Sequence, residues 1–247
     1  TIQTKGWELA IDYRHTFKNG LHFGVTASVA DDKTEVTKWT YNTKIPSYGA
    51  TGWWDKSAYK EGMVLGDIWG LQFDRFLTED DFNADGSLKA GLPDQTKVFP
   101  AGYQFAPGDV LYKDLDNNGE IVKQTNTNDK GDLSVIGNAL PRLQFGLNLD
   151  AAWKGFDISM FFQGVAKRKL WAAGNQVLPG FTTGEPFYKG AEDYWTPENT
   201  DAFYPRPMDY KQSASGNYSV NDRYLLNMAY LRLKTFTVGS VSYTHLT

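Results

Sequence analysis

Residues 141–165 alternate between apolar and polar side chains in two runs, and this is the clearest pattern in the chain. Successive side chains of a β-strand point to opposite faces, so the apolar positions of each run share one face. These positions are Leu143, Phe145, Leu147 and Leu149 in the first run and Phe156, Ile158, Met160 and Phe162 in the second. Lys154 and Gly155 join the runs, and Gly155 can adopt the positive φ of a tight turn. The pattern predicts a β-hairpin with one apolar and one polar face, formed by strands 141–153 and 156–165.

Further strands repeat this design elsewhere in the chain. Alternation over residues 6–17 and 21–30, joined by the turn sequence Asn19-Gly20, predicts a second hairpin. Residues 223–238 predict another strand. Its alternation slips near Tyr230 and Leu231, which predicts a β-bulge at that point.

The connections differ at the two ends of these strands. Tight turns close both hairpins, whereas residues from about 39 to 140 and from about 166 to 221 are rich in Gly, Pro, Asp and Asn and predict long loops. In the first loop, Thr78 followed by three acidic residues predicts a short helix. Each hairpin arm is about ten residues long, enough to cross a bilayer at a tilt, although a half-buried hairpin of a soluble sandwich alternates in the same way.

Short turns opposite long loops are typical of outer-membrane barrels, which have short periplasmic turns and long extracellular loops. We therefore expect an all-β fold of the antiparallel transmembrane β-barrel type, with two long extracellular loops. The rival interpretation is a secreted, calcium-stabilised all-β carbohydrate-binding module.

The amino-acid composition of the chain argues against several classes of function. The chain has 247 residues, a net charge of -4, no cysteine and 15% aromatic residues. Without clustered basic residues, nucleic-acid binding is not expected, and without cysteine there is no disulfide framework or thiolate chemistry. No apolar run approaches the ~20 residues of a membrane-spanning helix. The sequence has no nucleophile elbow, phosphate loop or metalloprotease motif, so we expect no enzyme.

A series of short motifs follows in order along most of the chain. They are PGDV at 107–110, YKDLDNNGEI at 112–121, VIGN at 135–138, KGFDIS at 154–159, FFQG at 161–164, YWTPEN at 194–199 and YPR at 204–206. Together they resemble the C-terminal barrel part of SusC/RagA-type TonB-dependent outer-membrane transporters. Each motif alone is short, and the specificity of the resemblance comes from their number and order.

This resemblance implies that residues 1–240 are a fragment that holds a few strands of a large transmembrane β-barrel. It also implies a function for the complete protein. Such transporters import oligosaccharides, or peptides in some members, with energy delivered through the TonB complex to a plug domain and a contact segment that would lie upstream. A SusD-like surface lipoprotein would cover the extracellular mouth, and outer-membrane lipid would surround the wall. The expected location is the outer membrane of a Gram-negative, Bacteroidetes-like cell, with the loops extracellular. No cofactor is required.

The last residues depart from the motif pattern. Residues 241–247 read VSYTHLT, and VSYTHL is also the translation of a transposase sequencing-adapter sequence. Our hypothesis is that this tail is not native. The parent gene, recovered independently, would test it.

The acidic motif in the first loop fits the first part of a calcium-binding loop. Oxygen ligands would come from positions one, three and five, a backbone carbonyl from position seven, and glycine would make the turn. The twelfth position falls at Thr125, so a closing carboxylate would have to come from Asp129 or Asp132 after an insertion. The candidate ligands are Asp114, Asp116, Asn118, Glu120 and Asp132. An Asx-rich turn without metal is an equal alternative.

Tryptophans in the loops are candidate sugar-stacking residues. The weak substrate-binding candidates are Trp53, Trp54, Trp69 and Trp171. Packing of one loop on another explains any single one of them better, since tryptophan buries a large area. On the strands, we expect Trp7, Tyr13, Trp153 and Phe156 at the membrane interfaces and Asp12, Arg14, Asn148 and Asp150 facing the lumen.

Overall fold

A five-stranded antiparallel sheet is the main element of the computed structural model, which describes residues 1–39, 61–123, 130–181, 187–208 and 216–241. The strands, in chain order, are β1 (Ile2–Thr16), β2 (His22–Val36), β3 (Asp67–Gly70), β4 (Phe73–Phe76), β5 (Val110–Tyr112), β6 (Ser134–Asn138), β7 (Arg142–Trp153), β8 (Phe156–Lys167), β9 (Lys169–Leu170), β10 (Leu226–Asn227) and β11 (Tyr230–Ser240). The large sheet has the order β1-β2-β7-β8-β11. The described residues include two short 3-10 turns, Glu79–Asp81 and Lys189–Ala191.

Both predicted hairpins are present, and their turns have the expected backbone. Lys154 and Gly155 have φ values of 48° and 82°, and Gly20 has a φ of 84°. Two consecutive positive φ values match the twist of the flanking strands and keep the hairpin tight. The all-β antiparallel prediction is confirmed.

The register across the sheet places the apolar positions of all five strands on one face. Leu147, for example, lies opposite Ala27 of β2 on one side and Phe162 of β8 on the other. At the outer strands this face is open, with Ile11 58% and Val238 62% exposed. A sandwich requires a second sheet to cover such a face, and none does so in the described part of the chain.

The last strand of the large sheet, β11, differs from the prediction in two ways. It begins at Tyr230, because residues Leu226–Asn227 leave it to form β10, which pairs with β9. The bulge is present, but the register shifts between Leu233 and Thr235 and not near Tyr230. By adding one residue at this point, the bulge returns the apolar side chains to a single face.

Tight turns lie at one end of the sheet and both long connections leave from the other. We call residues 37–141 the first loop and residues 168–229 the second loop. Both loops contain short strand pairs, β3–β6, β4–β5 and β9–β10, which the sequence pattern did not predict. Among the described residues, no helix is both long and apolar enough to span a bilayer.

The two loops share a hydrophobic core. Trp195 and Ala202 of the second loop are buried in a cluster with Leu71 and Tyr112 of the first. A second cluster is formed within the second loop, around Trp171 and Tyr224. The loops therefore fold as one unit, which we call the outer-loop unit, above one end of the sheet.

Candidate functional site

A buried ion pair joins the two loops. Asp109 of the first loop has no exposed surface, and Arg206 of the second donates from Nε and Nη2 to its two oxygens at 2.8 and 3.2 Å. Two parallel bonds of this kind fix direction as well as distance. The pair positions the two loops relative to each other.

Three further donors complete the shell around the Asp109 carboxylate. Tyr103 donates its hydroxyl at 2.8 Å, Asn217 its side-chain amide at 3.0 Å and Ala106 its backbone N–H at 2.9 Å. Burial, followed by the Asp109 charge, raises the pKa of Tyr103 above its ordinary value. The tyrosine therefore remains a protonated donor, and the carboxylate is fully bonded, as a buried charge must be.

Close backbone contact at Gly108 supports the same joint. A β-carbon at Gly108 would lie 2.5 Å from the Trp195 ring and 2.9 Å from Cβ of Arg206. The φ of Gly108 is 89°, a value that side-chain-bearing residues rarely adopt. The motifs at 107–110, 194–199 and 204–206, which are far apart in sequence, thus meet at one place.

The predicted calcium ligands come together only in part. Carboxylate oxygens of Asp114, Asp116 and Asp132 lie within 4.8 Å of one another. Asp132 is fully buried, and it accepts backbone N–H groups of Leu115 and Val122 at 2.7 and 2.8 Å. These bonds hold Asp132, which would follow the assumed insertion, next to the start of the acidic loop. The alternative Asp129 lies outside the described residues.

The remaining two candidates bond to neighbours. The side-chain oxygen of Asn118 accepts the Glu120 backbone N–H at 2.8 Å, and the Glu120 carboxylate forms an ion pair with Lys97. Glu120 could therefore contribute only its carbonyl, as position seven requires. Desolvation, together with the charges of Asp132 and Asp114, raises the pKa of Asp116. A divalent cation would relieve this repulsion.

The tryptophan candidates occupy different environments. Trp171 is 3% exposed, within the second cluster, and Trp69 is partly buried against the first. Both pack against loop residues, and ligand stacking by them stays a prediction. Trp53 and Trp54 lie outside the described residues.

Polar side chains line the face of the sheet that is opposite the apolar face. Asp12 accepts the Thr26 hydroxyl at 2.6 Å across the β1–β2 pair. Asp150 lies 3.6 Å from His22 and covers Gly24, where a β-carbon would approach its carboxylate to 2.5 Å. The side chains that were predicted to face the lumen do share the polar face.

Sequence reasoning missed the ion pair at the centre of the outer-loop unit. Both of its residues belong to recognised motifs, yet nothing in either motif indicates that one pairs with the other. A signal did exist, since an acidic residue directly after Pro-Gly in an otherwise apolar stretch is a candidate for burial, and burial requires a partner.

Two curated proteins match nearly the whole chain, whereas no protein-family model matches it. TonB-dependent receptor P3 of Formosa agariphila is 24% identical over 96% of this chain and 21% of its own length. TonB-dependent receptor P26 of the same organism is 34% identical over 95% of this chain and 22% of its own length. The chain spans about a fifth of these curated relatives.

Solved structures agree on the fold. The RagAB peptide importer in its open-open state covers 96% of this chain with a TM-score of 0.58 and 15% identity, and the match takes 22% of the importer chain. A second structure, of the RagAB peptide transporter, gives 0.59 and 14% over 95% of this chain and 22% of its own. These relatives are named as receptors, an importer and a transporter, and none of them is named as an enzyme. The ordered motifs, the open antiparallel sheet and these relatives together support the resemblance of the chain to part of a SusC/RagA-type TonB-dependent receptor.

Proposed function

We propose that this chain forms part of the wall and the extracellular loops of an outer-membrane transporter for energy-coupled uptake of oligosaccharides or peptides, with a SusD-like lipoprotein as partner. The open apolar face of the five-stranded sheet carries the proposal. Leu9, Ile11, Phe236 and Val238 are each more than half exposed on it. Lipid is the solvent in which such a face is stable.

The two ends of the sheet support an orientation in the membrane. Short turns at one end fit the periplasmic side, and the outer-loop unit at the other fits the cell surface. Contacts with ligand and with the lipoprotein would then be made by the outer-loop unit and the polar face. Oligosaccharide uptake follows from the family resemblance, and the RagAB structures, which are of a peptide importer, support peptides as the other class.

Single cysteines test the orientation. The chain has no cysteine of its own, so Lys89→Cys in the first loop and Lys18→Cys in a tight turn form a matched pair. A membrane-impermeant maleimide should label Lys89→Cys on intact cells, whereas Lys18→Cys should react only after the outer membrane is opened. The opposite result, or equal labelling of both, would contradict the proposed topology.

Uptake tests the activity directly. Cells that lack the complete receptor gene would be offered a fluorescent oligosaccharide mixture and, separately, a labelled peptide mixture. We expect deletion of the receptor and dissipation of the proton-motive force to abolish import of one mixture. Unchanged import of both would reject the transport function.

We also propose that calcium pins the acidic loop, with Asp114, Asp116 and Asp132 as carboxylate ligands. The convergence of these three groups supports the site. Its role would be structural, since the ion would join the start of the acidic loop to the segment that follows the insertion. The rival carbohydrate-binding module also uses calcium, but it needs a second sheet over the apolar face.

A further inference from the structure

A cationic pocket lies where the outer-loop unit meets the strand ends of the sheet. We call it the strand-end pocket. It has a volume of about 440 Å³, and its polar lining consists of Asn138, Arg142, Lys167, Arg168, Lys169 and Asn227. Arg142 begins β7 directly opposite Lys167, which ends β8. The fold thus gathers positive charges from β7, β8 and β9 at one corner.

The strand register places this pocket on the polar face of the sheet. Arg142 has the same parity in β7 as Asn148 and Asp150, and the apolar positions of that strand have the other. Arg142 lies opposite Lys167, just as Asp150 lies opposite Ser159. Where the apolar face of a barrel strand meets lipid, its polar face lines the lumen. The strand-end pocket therefore belongs to the end of the lumen from which the long loops leave.

Three of the four cations in the pocket lack a carboxylate partner. None of the residues that line the pocket is acidic. Arg142 is neutralised by Asp31, with bonds of 2.6 and 2.7 Å, and Lys167 adds only a longer-range attraction to the same carboxylate. Among the described residues, no carboxylate lies within ion-pair distance of Lys167, Arg168 or Lys169.

Two further acids act on the Arg142 side of the pocket. Asp32 and Asp67 attract Arg142 by their charge. Asp67 also accepts a hydrogen bond from the Asn138 amide at 2.9 Å. These acids add to the hold on Arg142, and the cations at 167–169 remain available to an anion from outside the chain.

The fold holds several of these donors in place. Arg168 donates from Nε to a backbone carbonyl of the first loop at 3.1 Å. Lys169 lies against Gly137 of β6, where a β-carbon would approach its Cβ to 2.9 Å. Asn227, opposite Lys169 in β10, accepts the Ala229 N–H with its side-chain oxygen at 3.1 Å, so its amide nitrogen can donate. Guanidinium, ammonium and amide donors together are the groups that bind carboxylate oxygens.

We propose that the strand-end pocket binds a carboxylate group of the imported ligand and thereby makes the receptor selective for acidic oligosaccharides or acidic peptides. The proposal rests on the transport function and the orientation given under the proposed function. A cleft lined by charges of one sign raises the local concentration of ligands of the opposite sign. The pocket volume also falls within the range of about 300–1,000 Å³ that is usual for small-ligand sites.

Import of carboxyl-capped ligands tests the proposal. The fluorescent oligosaccharide mixture, here a pectin hydrolysate, and the labelled peptide mixture, here digested casein, would each carry an uncharged label. Each mixture would be offered before and after carbodiimide coupling to ethanolamine, which converts carboxylates to neutral amides. The two mixtures form separate arms, which show whether the carboxylate belongs to a sugar or to a peptide.

Two double variants of the complete receptor are compared with the wild type. The test variant is Lys167→Gln/Lys169→Gln, which removes two cations of the pocket. The control is Lys18→Gln/Lys154→Gln, which removes two exposed charges from the tight turns at the other end of the sheet. Both variants change the net charge of the receptor equally, so a difference between them reports the position of the charge.

We expect the test variant to import the uncapped ligand with a half-saturating concentration about tenfold higher than that of the wild type, at roughly threefold per cation. Capping should raise the wild-type value similarly and should affect the test variant much less, because both changes remove the same contact. The control should match the wild type. A test variant that matches the control, or wild-type import that is insensitive to capping, would overturn the proposal.

Lysine footprinting on the purified complete receptor locates the contact. The uncapped mixture should slow reductive methylation of Lys167 and Lys169, while Lys18 and Lys154 should react at unchanged rates. If capped and uncapped mixtures protect Lys167 and Lys169 equally, the proposal is wrong even when the test variant imports poorly.

The behaviour of the wild type separates this proposal from the one on which it rests. If the wild-type receptor imports neither mixture, capped or uncapped, the transport function fails and the carboxylate site fails with it. If the wild type imports one mixture and capping changes nothing, only the proposal for the strand-end pocket fails.

Discussion

Arg206 donates two hydrogen bonds to Asp109 from a position 97 residues later in the chain, and the carboxylate that receives them is completely buried. Removal of the guanidinium would leave that charge without its partner. Breaking a buried pair in this way costs about 3–5 kcal/mol. We expect Arg206→Met to loosen the outer-loop unit while the sheet stays inserted.

Limited proteolysis of the receptor on intact cells measures this effect. Arg206→Met should be cut within the loops at much lower protease concentration than the wild type. Lys97→Met is the control, because the Lys97–Glu120 pair is largely exposed and such pairs contribute about 0–1 kcal/mol. Equal resistance of the two variants would show that the buried pair does not hold the loops.

Two adjacent residues of β7 should differ in how well they tolerate a positive charge. Leu147 lies on the apolar face and Asn148 on the polar face. An arginine on the lipid side costs about 2–4 kcal/mol near the bilayer centre, so Leu147→Arg should reduce the folded, membrane-inserted fraction. Asn148→Arg should have little effect, since Asp12 and Asp150 share its face.

Heat-modifiable migration on gels, together with the amount recovered in outer-membrane fractions, would score both variants. A comparable loss in Leu147→Arg and Asn148→Arg would mean that the apolar face does not meet lipid.

Calcium should protect the first loop, and Asp116 gives the cleanest test. Its carboxylate accepts bonds from the backbone and side-chain N–H groups of Asn118, and Asp116→Ala removes its ligand oxygens, whereas asparagine would keep one. We expect calcium at up to about millimolar concentration, as in extracellular sites, to raise the protease resistance of the wild type but not of Asp116→Ala.

Asp85→Ala, which removes a carboxylate outside the cluster, should keep the calcium response. If the wild type resists protease equally in calcium and in a chelator, the acidic motif is an Asx turn and not a metal site.

The segment around the first 3-10 turn should lose its structure only in strong acid. A side-chain hydrogen bond from Arg75 holds the pKa of Asp81 at about 2, below the ordinary 3.8. Because the pKa is lowered in the folded state, the stabilisation is complete above about pH 4 and is lost as the pH falls through about 2.

Hydrogen-exchange protection of residues 74–89, corrected for intrinsic exchange rates, would follow this loss. Wild-type protection should persist at about pH 3 and decline towards pH 2, whereas Asp81→Asn should already be less protected at neutral pH and should show no such decline. A wild-type decline between pH 5 and pH 4 would contradict the assigned pair.

The sequence pattern predicts features that depend on residues close together in the chain, and it misses features that depend on distant residues. The turn at Lys154 and Gly155 and the faces of β7 and β8 depend on neighbouring residues and a period of two, so the pattern alone predicts them. The spacing of a calcium loop leads to Thr125, so Asp132 follows only if an insertion is assumed, and its role as a ligand stays a prediction. The true bulge position was not reachable, because the departure of β10 from the strand depends on its pairing with β9.

Long-range partners could not be read from the pattern. Asp109 and Arg206 are brought together by a hydrophobic core to which both loops contribute, and no local rule specifies such a core. The strand-end pocket, lined by Arg142, Lys167, Arg168 and Lys169, illustrates a second limit. Lys167, Arg168 and Lys169 look like a solvated run of charge in sequence, and only the return of β6 and β10 to the strand ends makes them the wall of a cavity.

The shared core of the two loops also bears on how such receptors can diversify. Trp195 of the second loop packs on Gly108 of the first, and Arg206 neutralises Asp109, so the first loop depends on residues of the second. A chimaera that exchanges one loop for that of a relative would combine mismatched halves. Recombination that changes which ligand is bound should therefore transfer both loops together, along with the β7–β8 hairpin that lies between them in the chain.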